Sequence, residues 1–201
     1  MSPGSGSLVL ASASAARARL LSAAGLAITA YPVSVDEEAV KDAFRREGRS
    51  AADCVVALAE TKARRACARH PGALVIGADQ MLVCNGQWFD KPKDLAVAHA
   101  QLRALSGKRH ELLTAAAVLR DGTVLWRAVE TAALTMRELS DEFIGAYLAA
   151  IGSAALSSVG AYQLEGRGIQ LMAKIEGDHF AIQGLPLLPL LDFLRGQGVL
   201  P

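Results

Sequence analysis

The sequence has few cysteines and a formal net charge close to zero. The first argues against a disulfide-stabilised protein, and the second against a protein that binds polymeric nucleic acid. Its 201 residues include three widely separated cysteines, Cys54, Cys67 and Cys84, with no C-x-x-C pair. Such a sparse, odd set fits a reducing compartment and provides no disulfide framework. The formal net charge of +1 argues against polymeric nucleic acid as a partner.

The sequence also lacks long apolar runs, the ligand spacing of a zinc site and the motif of a serine nucleophile. No apolar run reaches membrane-spanning length, and the start MSPGSGS lacks the regions of a signal peptide. We therefore expect a cytoplasmic protein that does not bind membranes. The four histidines lack zinc-ligand spacing, and no G-x-S-x-G motif is present. The 52% of hydrophobic residues indicates a folded chain.

Short apolar runs alternate with amphipathic segments, which predicts an α/β fold with a mixed sheet. Strands are predicted over residues 8–12, 73–79, 109–120 and 123–135. Helices are predicted after Ser14, over residues 50–69 and 94–105, after Ser140 and from Pro186. Tight turns are predicted at Asn85-Gly86 and Asp121-Gly122, and a further hairpin about Glu176-Gly177-Asp178. Residues 1–7 are expected to form a flexible lead to a single domain over 8–201.

The first predicted helix has arginines and no acid at its start, although that end of a helix carries partial positive charge. The helical period puts Arg17 on the buried face with Leu20 and Leu21, and Ser12 and Ser14 supply hydroxyl groups beside it. One interpretation is a phosphate site at the helix start. The other is that Ser14 is an ordinary N-cap and Arg17 extends to water.

Four more charged residues are candidates for a site. Asp79 ends the apolar run LVIGAD, where an acid can be a metal ligand, a general base or a turn residue. Lys62 lies on a half-buried helical stripe and Lys91 follows the predicted turn at Asn85. Glu37 belongs to the acidic stretch VDEE, for which a solvated loop is the alternative. Glu165 stands beside a glycine that permits close backbone approach.

In their order and spacing, these stretches resemble the Maf family of nucleoside triphosphate pyrophosphatases. The matching segments are LASASAARARLL, VDEE, LAETKA, VIGADQMLVCNGQWFDKPKD, LSGKRHELLTA, GAYQLEGRG and IEGDHFAIQGLPLLPLLDFL. The resemblance implies an elongated fold like that of inosine triphosphate pyrophosphatases, with two lobes around a nucleotide cleft, and a homodimer. It also implies hydrolysis between the α- and β-phosphates with a divalent cation, Mg²⁺ or Mn²⁺.

The same resemblance implies roles for individual residues. Asp79, Glu37 and Lys91 would be catalytic, with Asp79 and Glu37 at the metal ion. The residues that would bind the substrate are Ser12, Ser14, Arg17, Lys62, Gln80 and Glu165.

The chain departs from the usual family motif S-x-S-P-R-R, because Ala15 and Ala16 replace the proline and the first arginine. A branch similar to 7-methyl-GTP pyrophosphatases also lacks that arginine and has Gln and Glu where this chain has Gln80 and Glu165. The Glu165 carboxylate can balance the positive ring of a 7-methylated guanine. The alternatives are a dTTP/UTP pyrophosphatase, a cell-division regulator that binds nucleotides without significant catalysis, and a small-molecule phosphatase.

Overall fold

The predicted mixed sheet flanked by helices is present in the computed structural model, which describes residues 7–201. The strands are β1 (Leu8–Leu10), β2 (Ile28–Ala30), β3 (Leu74–Cys84), β4 (Gln87–Phe89), β5 (Arg109–Arg120), β6 (Thr123–Met136) and β7 (Met172–Glu176). The α-helices are α1 (Ala15–Ala23), α2 (Glu37–Arg46), α3 (Ala51–Cys67), α4 (Leu95–Leu105), α5 (Asp141–Ile151), α6 (His179–Ile182) and α7 (Leu187–Gly196). Short 3₁₀ helices cover Gly152–Ser157, Val159–Ala161 and Arg167–Leu171. None of these helices is long and apolar enough to cross a membrane.

Parallel and antiparallel pairs occur in one sheet, with the strand order β2-β1-β3-β5-β6-β7 and β4 paired to β3. β1 is parallel to both β2 and β3, and Leu10 pairs with Ile76 at the end of the β1–β3 ladder. β4 is antiparallel to β3, and β7 is antiparallel to β6. The apolar runs in β1 and β3 are buried, as expected for strands covered on both faces.

The chain forms two compact units. Unit 1 contains the residues up to Asp79, Thr114–Glu130 and Gly184–Pro201, and unit 2 contains Gln80–Leu113 and Thr131–Gln183. The core of unit 2 is an apolar cluster from β3, α4, β6, α5 and the 3₁₀ segments. The large, fully buried side chains of unit 1 include Leu10, Leu21, Leu58, Leu74 and Ile76.

The local signals for turns and helix starts are confirmed. Asn85 and Gly86 have φ values of 49° and 79°, and Asp121 and Gly122 have 50° and 81°. Positive φ at both central residues is what a two-residue hairpin turn requires. The side chains of Ser14, Ser50, Asp94 and Ser140 each accept a hydrogen bond from the backbone N–H three residues later, as N-caps do.

Two expectations and one alternative are wrong. The hairpin expected about Glu176-Gly177-Asp178 is a strand followed by a helix, because Asp178 caps α6 by accepting from Ala181 N–H at 2.7 Å. Asp79 does not end its strand, since β3 continues to Cys84 beyond the parallel pairing with β1. The alternative of a solvated loop for the acidic stretch is also wrong, because Glu37 begins α2.

The predicted flexible lead lies outside the described residues except for Ser7. The backbone carbonyl of Ser7 accepts a hydrogen bond from Leu74 N–H at 3.0 Å, beside the β1–β3 pair. Strand β2 was not predicted. Its three residues Ile28–Ala30 are half-buried or exposed, and their sequence contains no apolar run.

Candidate active site

Lys62 in α3 joins two carboxylates. Its Nζ lies 2.5 Å from Asp79 Oδ1 and 2.6 Å from Glu37 Oε1. Lys62 and Asp79 are buried, whereas the Glu37 side chain is 41% exposed. The prediction that Lys62 lies on a half-buried stripe of its helix is confirmed, since Lys62 is one of the buried residues of α3. One buried cation thus compensates two acids that come from different elements of unit 1.

A glycine permits this arrangement. A Cβ atom on Gly77 would lie 2.1 Å from the backbone oxygen of Ala59 and 2.8 Å from Ala63 N, both in α3. Gly77 and Asp79 are two residues apart in β3, so both face the same side of the sheet. The close approach of α3 at Gly77 therefore brings Lys62 within reach of Asp79.

Glu37 is fixed by the start of α2. The Asp36 side chain caps this helix by accepting from Ala39 N–H at 3.0 Å. Glu37 and Glu38 occupy the first turn, where acids interact favourably with the helix dipole, and Arg45 and Arg46 occupy the last. Acidic residues at the start of this segment and arginines at its end are a sequence signal for a helix, and it was missed.

The second oxygen of Asp79 is available for chemistry. Asp79 Oδ2 is buried and has no hydrogen-bond partner among the described residues. An unpaired buried carboxylate oxygen is costly to keep and is a strong acceptor for a proton donor or a cation. Mg²⁺ and Mn²⁺ bind carboxylate oxygens, and Mg²⁺ commonly uses only one or two of them together with water and phosphates. Asp79 and Glu37 fit such an ion, although residues 7–201 contain no cluster of three or more acidic, histidine or cysteine ligands.

Arg17 in α1 is held inside unit 1. Its Nε donates to Gly184 O at 2.7 Å, and its Nη1 donates to Ala78 O at 2.9 Å and to Ser12 Oγ at 3.2 Å. The prediction that Arg17 lies on the buried face is confirmed, and the alternative that it extends to water is wrong. All three acceptors are neutral, so they orient the guanidinium without cancelling its charge.

Burial lowers the pKa of the Arg17 guanidinium, while the carboxylates of Asp79 and Glu37 act in the opposite direction. The two serines complete the helix start. Ser14 Oγ accepts from Arg17 N–H at 3.3 Å, and Ser12 Oγ accepts from Ser14 N–H at 3.1 Å. Ser14 is therefore an N-cap, and each hydroxyl keeps a proton that it can donate.

The other three candidate residues lie in unit 2. Gln80 Nε2 donates to the backbone oxygens of Ala181 and Ile182 at 3.0 Å each, at the end of α6. Lys91 is an exposed residue in the segment after β4. Glu165 is exposed in the turn before the Arg167–Leu171 3₁₀ helix. The side-chain amide of Gln80 thus donates its hydrogen bonds to backbone carbonyls of unit 2.

Sequence reasoning missed the backbone partners of the site. The carbonyls of Ala78 and Gly184 fix Arg17, and no side-chain signal marks a carbonyl acceptor 167 residues away. Gly77 did have a signal, because a glycine inside an apolar strand often marks a close approach of another backbone.

The fold and these contacts define an α/β protein in which buried Lys62 joins a buried and a half-exposed carboxylate, and in which Arg17 of α1 binds the carbonyl next to Asp79. The chain belongs to the Maf family: the model described as Maf-like protein matches residues 7–197. The family identified from the motifs is therefore confirmed.

Close relatives cover nearly the whole chain. A nucleoside triphosphate pyrophosphatase from Paramagnetospirillum magneticum is 55% identical over 192 residues, which are 96% of this chain and 99% of that protein. A protein from Mesorhizobium japonicum named 7-methyl-GTP pyrophosphatase is 51% identical over 193 residues, with coverage of 96% and 97%. A solved dITP/XTP pyrophosphatase from Mycobacterium abscessus is 15% identical, with coverage of 96% and 95%. Its TM-score of 0.41 is too low to establish a shared fold.

Proposed function

We propose that this protein hydrolyses nucleoside triphosphates between the α- and β-phosphates, releasing a nucleoside monophosphate and pyrophosphate. The observation that carries the proposal is the buried Asp79 carboxylate, which Lys62 holds through Oδ1 while Oδ2 stays unpaired. Family membership and the names of close relatives support the same activity.

In this reaction, water attacks the α-phosphorus and pyrophosphate leaves. Asp79 Oδ2 is the acceptor for the proton of the attacking water. Lys62 has three ammonium protons, of which two are directed to Asp79 and Glu37, so the third can reach a phosphate oxygen. A divalent cation held by Asp79 and Glu37 would neutralise charge on the phosphates.

The triphosphate needs additional donors, and unit 1 supplies them at the start of α1. The Arg17 guanidinium is oriented by neutral acceptors, so its positive charge remains available to an anion. The hydroxyl protons of Ser12 and Ser14 and the backbone of the first helical turn add neutral donors. Lys91 is proposed, on the resemblance alone, to add positive charge at the catalytic centre.

The substrate that we propose is 7-methyl-GTP or another modified nucleotide. Glu165 is an exposed carboxylate and can balance the positive ring of 7-methylguanine while accepting from its N–H groups. Because the side-chain amide of Gln80 donates to α6, we assign recognition of the base to Glu165 and the placement of α6 to Gln80. Some relatives carry the name 7-methyl-GTP pyrophosphatase.

The test is product analysis with 7-methyl-GTP, GTP, dTTP, UTP and CTP in the presence of Mg²⁺ or Mn²⁺. Pyrophosphate release with preference for 7-methyl-GTP supports both proposals, and that preference should fall in Glu165→Gln. Preference for dTTP or UTP would retain the reaction and overturn the substrate. Orthophosphate as the product would indicate a phosphatase, and binding without turnover would favour a regulator. Light scattering on the same preparation tests the homodimer, which stays a prediction.

A further inference from the structure

A histidine and a tyrosine form a buried hydrogen bond in unit 2 that the proposed reaction does not use. His110 Nε2 and Tyr162 Oη are 2.7 Å apart, and the two rings meet edge to face at 5.7 Å. His110 is 1% exposed and Tyr162 is 5% exposed. Burial lowers the pKa of His110 to about 4 and raises the pKa of Tyr162, so both side chains are neutral at pH 7.

This hydrogen bond holds a segment with unusual backbone geometry. Ala161, next to Tyr162, has a φ of 58°, which an L-residue adopts only at a cost. The Tyr147 hydroxyl donates to Ala161 O at 3.2 Å. Gly160 leaves room for the Tyr162 ring, since a Cβ there would lie 2.8 Å from that ring. The Tyr147 hydrogen bond and the buried Tyr162 side chain therefore hold the backbone at Ala161 and at the residue that follows it.

The segment leads directly into residues 163–168, which we call the Glu165 loop. Gln163 Nε2 donates to Ser157 Oγ at 2.7 Å, and Gly166 N–H donates to Gln163 O at 3.2 Å. A Cβ on Gly168 would lie 2.4 Å from Gln163 O, so the loop closes tightly on itself. The Gly166–Gln163 hydrogen bond closes the Glu165 loop, and Gln163 directly follows Tyr162, so the closure of the loop depends on where Tyr162 is held.

We propose that the His110–Tyr162 pair is a positioning device that fixes the Glu165 loop and thereby sets the preference of the enzyme for the base of its substrate. This rests on the proposed role of Glu165 in base recognition. An apolar pair of similar size would fill the core equally well, but no hydrogen bond would then fix the ring at position 162. A hydrogen bond in a dry core has one favoured geometry, and its partners are costly to separate.

The first test needs no substrate. Hydrogen exchange of the Gly166 amide should become faster in Tyr162→Phe and in His110→Leu, and it should stay near the original rate in His110→Gln, which keeps a polar atom for Tyr162. Tyr31→Phe is the matched control, because Tyr31 packs edge-on against His70 at 4.7 Å while His70 Nε2 has no hydrogen-bond partner among the described residues.

The double variant His110→Leu/Tyr162→Phe distinguishes an effect on the position of the Glu165 loop from an effect on the stability of the protein. It leaves no unpaired polar group, so its Tm should recover relative to the single variants. If the pair acts by positioning, exchange at Gly166 stays fast even though the Tm recovers. Unchanged exchange in Tyr162→Phe, or exchange that returns to the original rate together with the Tm, would overturn the inference.

The second test measures the ratio of kcat/KM for 7-methyl-GTP to that for GTP. Tyr162→Phe should lower this ratio roughly two- to tenfold, the effect of about one hydrogen bond. Combined with Glu165→Gln, it should lower the ratio no further, because both changes act through the same carboxylate. Additive effects would refute positioning through Glu165. A ratio unchanged in Glu165→Gln alone would instead refute the proposed base contact, while the exchange experiment still decides whether the pair places the loop.

Discussion

The two units differ in how they bury polar side chains. Among the described residues, unit 1 buries Arg17, Lys41, Lys62, Asp79 and Thr114, of which four are ionisable. Unit 2 buries His110, which its surroundings keep neutral, within a large apolar cluster. Buried charges are expensive unless they are paired, so their concentration in unit 1 indicates reactivity there. Unit 2 is stabilised by apolar packing, which suits a scaffold for the recognition loop that we propose.

The strongest test of this contrast is Asp79→Asn. Asparagine keeps the size and an oxygen acceptor for Lys62 but removes the negative charge. We expect kcat to fall by about 10²–10⁴-fold, as for loss of a general base, while the affinity for the nucleotide changes little. Steady-state kinetics and calorimetric binding measure the two effects. Turnover close to that of the original protein would remove Asp79 from the reaction and break the contrast.

The next largest effect that we predict is a pH dependence of the free energy of unfolding, caused by His110. Its folded-state pKa of about 4 lies below the usual 6.5, so the unfolded chain takes up the proton first as the pH falls. The free energy of unfolding should therefore be highest above pH 6.5 and should decrease between pH 6.5 and 4, by about 3 kcal/mol for this group.

Urea denaturation of the original protein and of His110→Gln, compared at each pH, isolates that slope from the titration of carboxylates. The stability difference between the two proteins should change by about this amount across the window. A difference that stays constant with pH would mean that His110 is not held neutral and would weaken the contrast between the units.

A smaller loss of stability is expected for Gly77→Ala in unit 1. The added methyl group would meet the α3 backbone, which cannot rotate away, so overpacking should cost about 1–3 kcal/mol and displace Lys62 from Asp79. Gly145→Ala in α5 of unit 2 is the matched control, because nothing lies within 4 Å of the new Cβ. That change should stabilise its helix by up to about 1 kcal/mol. Equal effects in urea denaturation would refute the role assigned to Gly77.

The smallest predicted change compares two serine N-caps that accept the same kind of hydrogen bond. Ser14 accepts from Arg17 N–H at 3.3 Å, and Ser140 accepts from Phe143 N–H at 3.2 Å. Replacement of either by alanine should cost about 1 kcal/mol of stability. We expect only Ser14→Ala to raise KM for the nucleotide as well. A similar rise in KM in Ser140→Ala would show that the effect reflects general loosening of the protein.

The sequence predicted those features whose signal is local. Two-residue turns need positive φ at fixed positions, N-caps need a short polar side chain, and the helical period directed Lys62 and Arg17 inward. The segment about Glu176-Gly177-Asp178 was misread because aspartate favours both turns and N-caps, and the partner that decides, Ala181 N–H, belongs to the next element. The acceptors of Arg17 are backbone carbonyls brought close by the fold, and no residue type encodes them.

The hydrogen bond from Arg17 to Gly184 also bears on the order in which the protein is made. Gly184 follows Arg17 by 167 residues, and chain elongation at about 5–20 residues per second takes roughly 8–33 s to cover that distance. During that time the ribosome carries a nascent α1 whose arginine lacks its Nε acceptor. The helix start that we propose as an anion site therefore reaches its final form late in biosynthesis, long after Arg17 itself was made.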